Sequence, residues 1–149
     1  MGMHETTYIS PLGSIRLVAD EGALRELTFG EAGGASDSPI LAAAGAQLDE
    51  YFAGTRTVFD LPLQLDGTAW EQRVWEALLA IPYGTTESYG RLAERIGAPG
   101  SARAVGAANG RNPVSIVVPC HRVVGSDGSL TGYAGGLSRK KRLLALEGA

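Results

Sequence analysis

Cys120 and His121 stand side by side in the run SIVVPCHRVVGSDG, and Cys120 is the only cysteine in the chain. A thiol attacks carbon as its thiolate, and an ordinary pKa of about 8.5 calls for a nearby cation, base or helix N-terminus. His121 could be that base, directly or through one water, if the backbone turns sharply after Cys120; Arg122 adds positive charge. The same residues also fit a buried cysteine that only packs, with His121 at the surface. One Cys and two His, one of them His4 near the N-terminus, do not make a zinc set, so no metal is expected.

The elements that must hold this pair change character along the chain. TTYISPLGSIRLVADEGALRELTFG is expected to form strands with turns at Pro11–Gly13 and Asp20–Gly22, with Ile15, Leu17 and Ala19 alternating against Arg16 and Val18. A helix follows over PILAAAGAQLDEYFAG, capped by Ser38, started by Pro39 and stopped at Gly54. TVFDLPLQL could be a further strand, restricted by Pro62 to an edge or a bulge. These elements make a small α/β lobe over residues 1–66.

Residues 67–149 are expected to be mostly helical. Thr68 and Glu71 form a capping-box start to a helix with the apolar face Trp70, Val74, Trp75, Leu78 and Leu79. IPYG ends it, TESYGRLAERIG gives a second helix, and Ser101 caps a third, ARAVGAANG. Two helices joined by GAPGS outline a helix-turn-helix, or a plain helical corner. The third helix is nearly bare at Ala102, Ala104, Gly106, Ala107 and Ala108, so it suits a close approach to a groove more than base reading. PVSIVV is expected to be a buried strand that ends at Cys120.

The charge pattern agrees with a division of labour. Residues 1–69 hold three Arg and ten Asp/Glu, a net of −7, whereas residues 70–149 hold ten Lys/Arg and six Asp/Glu, a net of +4. Only the second part would meet a polyanion. The cluster Arg139, Lys140, Lys141 and Arg142 is expected to mix phosphate-facing cations with a solvated helix start, while Leu143, Leu144 and Leu146 pack inward. No apolar run approaches the roughly 20 residues of a membrane helix, and MGMHETTYIS has no secretory pattern. A lone cysteine gives no sign of an oxidising compartment, so a cytoplasmic location is expected.

The run PCHRV, within IPYGTTESYGRLAERIGAPGSARAVGAANGRNPVSIVVPCHRVVGSDGSLTGYAGGLSRKKRLLALEG, resembles the active-site region of the O6-alkylguanine-DNA alkyltransferases. The resemblance covers nearly the whole second half and is looser in the SPLGSIRL start of the first. It implies a ribonuclease-H-like α/β lobe followed by a mostly helical domain with a winged-helix-like helix-turn-helix. It also implies a suicide reaction without a cofactor, moving an alkyl group from O6-alkylguanine, or O4-alkylthymine, in double-stranded DNA to Cys120.

On that resemblance His121 takes the thiol proton through a water, Glu147 orients His121, Tyr89 protonates the leaving guanine, and Asn112 braces the thiolate. Tyr133 would line the base pocket, the Ala134 N–H would reach O6, and carbonyls around Cys120 and Val123 would read the exocyclic amine. Ser115 stands where some members carry proline, and Ala134 where some carry serine, which bears on bulky alkyl groups. Arg103 would fill the gap left by the flipped nucleotide. Ala102, Ala104, Gly106, Ala107, Asn109 and Arg111 would lie along the minor groove, with cooperative self-association on DNA as a further expectation. Two rivals are a cysteine hydrolase using Cys120 and His121, and a non-catalytic sensor of alkylated DNA. The bare helix speaks against the first, and Cys120 itself against the second.

Overall fold

The computed structural model describes residues 2–149, which form two compact units, one ending at Leu65 and the other spanning Asp66–Ala149. In the first, β1 (His4–Ser10), β2 (Gly13–Ala19) and β3 (Leu24–Phe29) make an antiparallel meander. The turn between β1 and β2 is only Pro11–Leu12, closed by the Ser10 hydroxyl, which donates to the Gly13 carbonyl and accepts from the Leu12 N–H. Ile15, Leu17 and Ala19 are buried as their alternation predicts. Val18 is buried as well, where the pairing with β3 slips between Val18 and Ala19 and the alternation breaks.

Helix α1 (Pro39–Phe52) buries Leu41, Ala44, Leu48 and Tyr51, the spacing of one helical face. Ser38 caps it by accepting from the Leu41 N–H. The stretch TVFDLPLQL does not form the expected strand. It makes a single parallel bridge, Leu24 to Leu63, flanked by bonds from Leu24 N–H to the Pro62 carbonyl and from Gln64 N–H to Leu24. Proline lacks the donor that would extend the ladder, and one bridge is what remains.

The second unit begins with α2 (Ala69–Leu79), whose capping box joins Thr68 and Glu71 in both directions. Val74, Trp75, Ala77 and Leu78 are its buried face; Leu79, expected inside, is exposed. The next helix starts later than its polar and apolar spacing predicts. Glu87–Ser88 form β4, paired in parallel with β5 (Val123–Val124), and Ser88 then caps α3 (Tyr89–Arg95). Helix α4 (Ala102–Gly110) completes the helix-turn-helix, but Ser101 makes no side-chain cap bond. Helix α5 (Leu137–Glu147) closes the unit. No described helix is long and apolar enough to cross a membrane.

Candidate active site

The segment leading to Cys120 is not a strand. From Asn112 to Pro119 the chain makes tight turns, with Val117 N–H bonding the Ser115 carbonyl and Val118 N–H bonding Val114. Its β-branched residues are buried, which explains their type without a sheet. Asn112 replaces the missing ladder: its side-chain oxygen accepts from Val114 N–H at 3.0 Å and its amide donates to the Val118 carbonyl at 2.7 Å. Ile116 takes a left-handed backbone with φ 72°, a conformation costing a β-branched residue about 1–3 kcal/mol that buried neighbours must offset. Cys120 then opens a 3₁₀ turn, Cys120–Arg122.

That turn points both chemical groups inward. Cys120 is 3% exposed and His121 is fully buried, so His121 is not at the surface. Its Nε2 lies 2.8 Å from Oε2 of Glu147. Arg122 donates from Nε and Nη2 to the same carboxylate at 2.8 and 3.0 Å, and from Nη1 to the Ile81 carbonyl at 2.7 Å. A carboxylate held by a guanidinium is ionised and only accepts, so Nε2 of His121 carries the hydrogen. Nδ1 therefore presents a lone pair, and it is buried without a hydrogen-bond partner among the described residues. Gly84 permits this closure: its φ is 79°, and a Cβ there would stand 3.1 Å from the Glu147 carbonyl.

Burial controls both titrations. It pushes the Cys120 thiol up, opposed by hydrogen bonds from Asn112 and Ser115 and by the charge of Lys140. It pushes His121 down, outweighing the bond and charge of Glu147. The resting pair is a thiol beside a neutral imidazole, which is the form a proton acceptor needs.

Lys140 is the residue the sequence misplaces. It was expected among the exposed cations, yet it is fully buried, and its ammonium donates to the carbonyls of Val123 at 2.6 Å, Thr131 at 2.7 Å and Gly132 at 3.4 Å. It also lies 6.0 Å from the Tyr89 ring centroid. Burial lowers its pKa, and the Cys120 charge acts in the opposite direction. The signal was present in spacing: Lys140, Leu143, Leu144 and Glu147 occupy one face of α5, and that face is buried. Leu146 packs less deeply than expected, being half-buried.

The structure gathers Cys120, His121, Glu147, Asn112, Ser115, Val123 and Tyr133 around this face. Burial raises the Tyr133 hydroxyl's pKa, followed by the Cys120 charge, against a hydrogen bond with Ser115. Tyr89 sits beside them because β4 pairs with β5, and its hydroxyl accepts from Thr131 at 3.4 Å. Ala134 is exposed on the turn that Tyr133 and Gly136 close. Along α4, Arg103, Ala104 and Ala107 are exposed and Ala102 and Gly106 half-buried, while Arg111 is exposed and meets Glu71 at 3.5 Å. Asn109 departs from its expected place on the groove side. It is buried, and its amide donates to the Cys120 carbonyl at 3.3 Å.

Comparison with known proteins matches both units of the chain. The family model described as "6-O-methylguanine DNA methyltransferase, DNA binding domain" matches residues 69–149, and its "ribonuclease-like domain" counterpart matches residues 3–65. The methylated-DNA–protein-cysteine methyltransferase of Mycobacterium tuberculosis is 50% identical over 152 residues, covering 97% of this chain and 92% of that protein. That of Methanosarcina acetivorans is 44% identical over 155 residues, covering 99% of each. The crystal structure of Mycobacterium tuberculosis OGT in complex with DNA matches with a TM-score of 0.91 at 51% identity, over 97% of this chain and 92% of that one. The first unit matches the ribonuclease-like domain and the second the DNA-binding domain of one family over nearly the whole chain, and the chain belongs to the 6-O-methylguanine DNA methyltransferase family.

Proposed function

We propose that this protein repairs DNA by direct reversal, as a methylated-DNA–protein-cysteine methyltransferase that accepts the alkyl group of O6-alkylguanine on its own Cys120. The observation that carries the mechanism is the buried line from Arg122 through Glu147 to His121, beside a buried thiol. Duplex DNA lies along α4, Arg103 takes the place of the extruded nucleotide, and the base enters the pocket of Tyr133, Ala134 and Val123. Nδ1 of His121 takes the thiol proton through a water, and Sγ attacks the alkyl carbon. The Sγ–C bond forms as the C–O6 bond breaks, and Tyr89 donates a proton so that guanine leaves neutral. Asn112 and Ser115 hold the thiolate by hydrogen bonds.

The thioether has no leaving group suited to regeneration, so each chain acts once and needs no cofactor. O4-alkylthymine offers the same alkyl–oxygen bond and is included in the proposal. Cooperative self-association along the duplex is included too, and would appear as a binding curve steeper than a one-site isotherm. The test of the functional assignment is Cys120→Ala with O6-methylguanine duplex. Retained binding with complete loss of transfer supports it; transfer by the variant overturns it. The sensor alternative wins if wild-type protein binds the same duplex tightly and is never alkylated.

A further inference from the structure

Helix α4 is hard to hold in place. Six of its nine residues are Ala or Gly, so its side chains cannot interlock deeply with neighbours, and its glycines weaken it further. Helix α2 grips its backbone instead. The indole N–H of Trp70 donates to the Ala104 carbonyl at 3.0 Å, and that of Trp75 to the Ala108 carbonyl at 2.8 Å. Arg73 donates to the carbonyl of Ile96, the residue that caps α3, and its guanidinium stacks 5.4 Å above the Trp70 ring. Three side chains of one helix therefore hold the backbones of both helices of the helix-turn-helix.

Each indole adds a second donor to a carbonyl of α4. Ala108 is in the last turn of α4, where its carbonyl also accepts at 3.1 Å from the N–H of Arg111, the residue that caps the helix. A Cβ on Gly67 would stand 2.5 Å from the Trp75 ring, so the chain leaves space for that indole. Ala104 is in the first turn, where the helical ladder already supplies a donor. The Trp70 bond is an addition there, and its effect is placement. Ala104 directly follows Arg103, while the far end of the helix is tied to the site by the bond from Asn109 to the Cys120 carbonyl.

We propose that Trp70, with Arg73 stacked on it, and Trp75 are positioning residues for the DNA-bound reaction. By holding α4 through its backbone, they fix where Arg103 enters the duplex relative to the Cys120 pocket. This inference rests on the proposed repair function. Trp70 frees or holds the Arg103 end alone, because Asn109 independently keeps the other end against Cys120. Its loss should therefore separate DNA-dependent from DNA-independent transfer.

The experiment compares Trp70→Phe, which keeps an aromatic ring for Arg73 and loses the N–H, with wild type. Three quantities are read: Kd for a duplex carrying O6-methylguanine, the transfer rate from that duplex, and the transfer rate from free O6-benzylguanine base. The expected result is a duplex Kd weakened about three- to tenfold and a free-base rate within about twofold of wild type. In the double variant with Arg103→Ala the two losses should not add, because both act through the same contact. An unchanged duplex Kd, or an equal fall in both rates, would overturn the inference. Wild-type protein that takes no methyl group from the duplex would instead overturn the functional assignment, and this inference with it.

Discussion

Nε2 of His121 lies 2.8 Å from Oε2 of Glu147, and neither side chain reaches solvent. The carboxylate is ionised by Arg122, so it fixes which imidazole nitrogen carries the hydrogen and leaves Nδ1 as the acceptor. Glu147→Gln keeps the shape but removes the charge that sets this tautomer and neutralises Arg122. Single-turnover methyl transfer should fall by about 100-fold, the scale of a lost general base. A rate near wild type would show that Glu147 does not act through His121.

The depressed pKa of His121 has a consequence for stability. Unfolded chain takes up the imidazole proton near the ordinary value of about 6.5, while the folded protein resists it to lower pH because His121 is buried. Below about pH 6.5 the unfolded state binds more protons, so stability falls as pH falls, until the folded-state pKa is passed. Thermal unfolding scans from about pH 7.5 to about pH 5 should show a steeper loss for wild type than for His121→Gln. Parallel curves would contradict this assignment.

Lys140 is a buried ammonium held by backbone carbonyls, and no described carboxylate pairs with it. In the proposed reaction, the charge that forms near it is the Cys120 thiolate. Lys140→Met keeps the length of the stem and removes the cation. Transfer from free O6-benzylguanine at neutral pH should slow about tenfold and recover as pH is raised, because the thiol pKa climbs further without Lys140. A uniform loss at every pH would reduce Lys140 to a structural clamp.

Arg103 is exposed near the start of α4, where a flipped nucleotide would leave a gap. Arg103→Ala should weaken duplex binding and slow duplex repair about 10-fold or more, with transfer from the free base retained. Comparable losses on both substrates would remove Arg103 from the extrusion step.

Spacing in the sequence identifies most of the framework. Ser38, Thr68 and Glu71 mark helix starts through hydrogen bonds made within three residues, whereas Ser101, of the same residue type, makes no such bond at the start of α4. Cys120, His121, Tyr89, Asn112 and Glu147 were legible through their resemblance to a family, not through periodicity. What stayed hidden depends on contacts distant in sequence. Val114–Val118 look like a strand, since burial and β-structure favour the same residues, and only the Asn112 bonds show otherwise. Glu87–Ser88 became a strand because Val123–Val124 lie beside them, which no local pattern encodes. Lys140 and Asn109 carry polar side chains that point inward because buried carbonyls receive them.

On the proposed function, Cys120 is the single and final acceptor of the alkyl group. Wild-type protein should be incubated with an excess of duplex containing O6-methylguanine, and the methyl groups located by peptide mass spectrometry. The expected result is one methyl group per chain, all of it on Cys120, with repair stopping when every chain is used. Repair continuing beyond that point, or methyl groups on another residue, would contradict it.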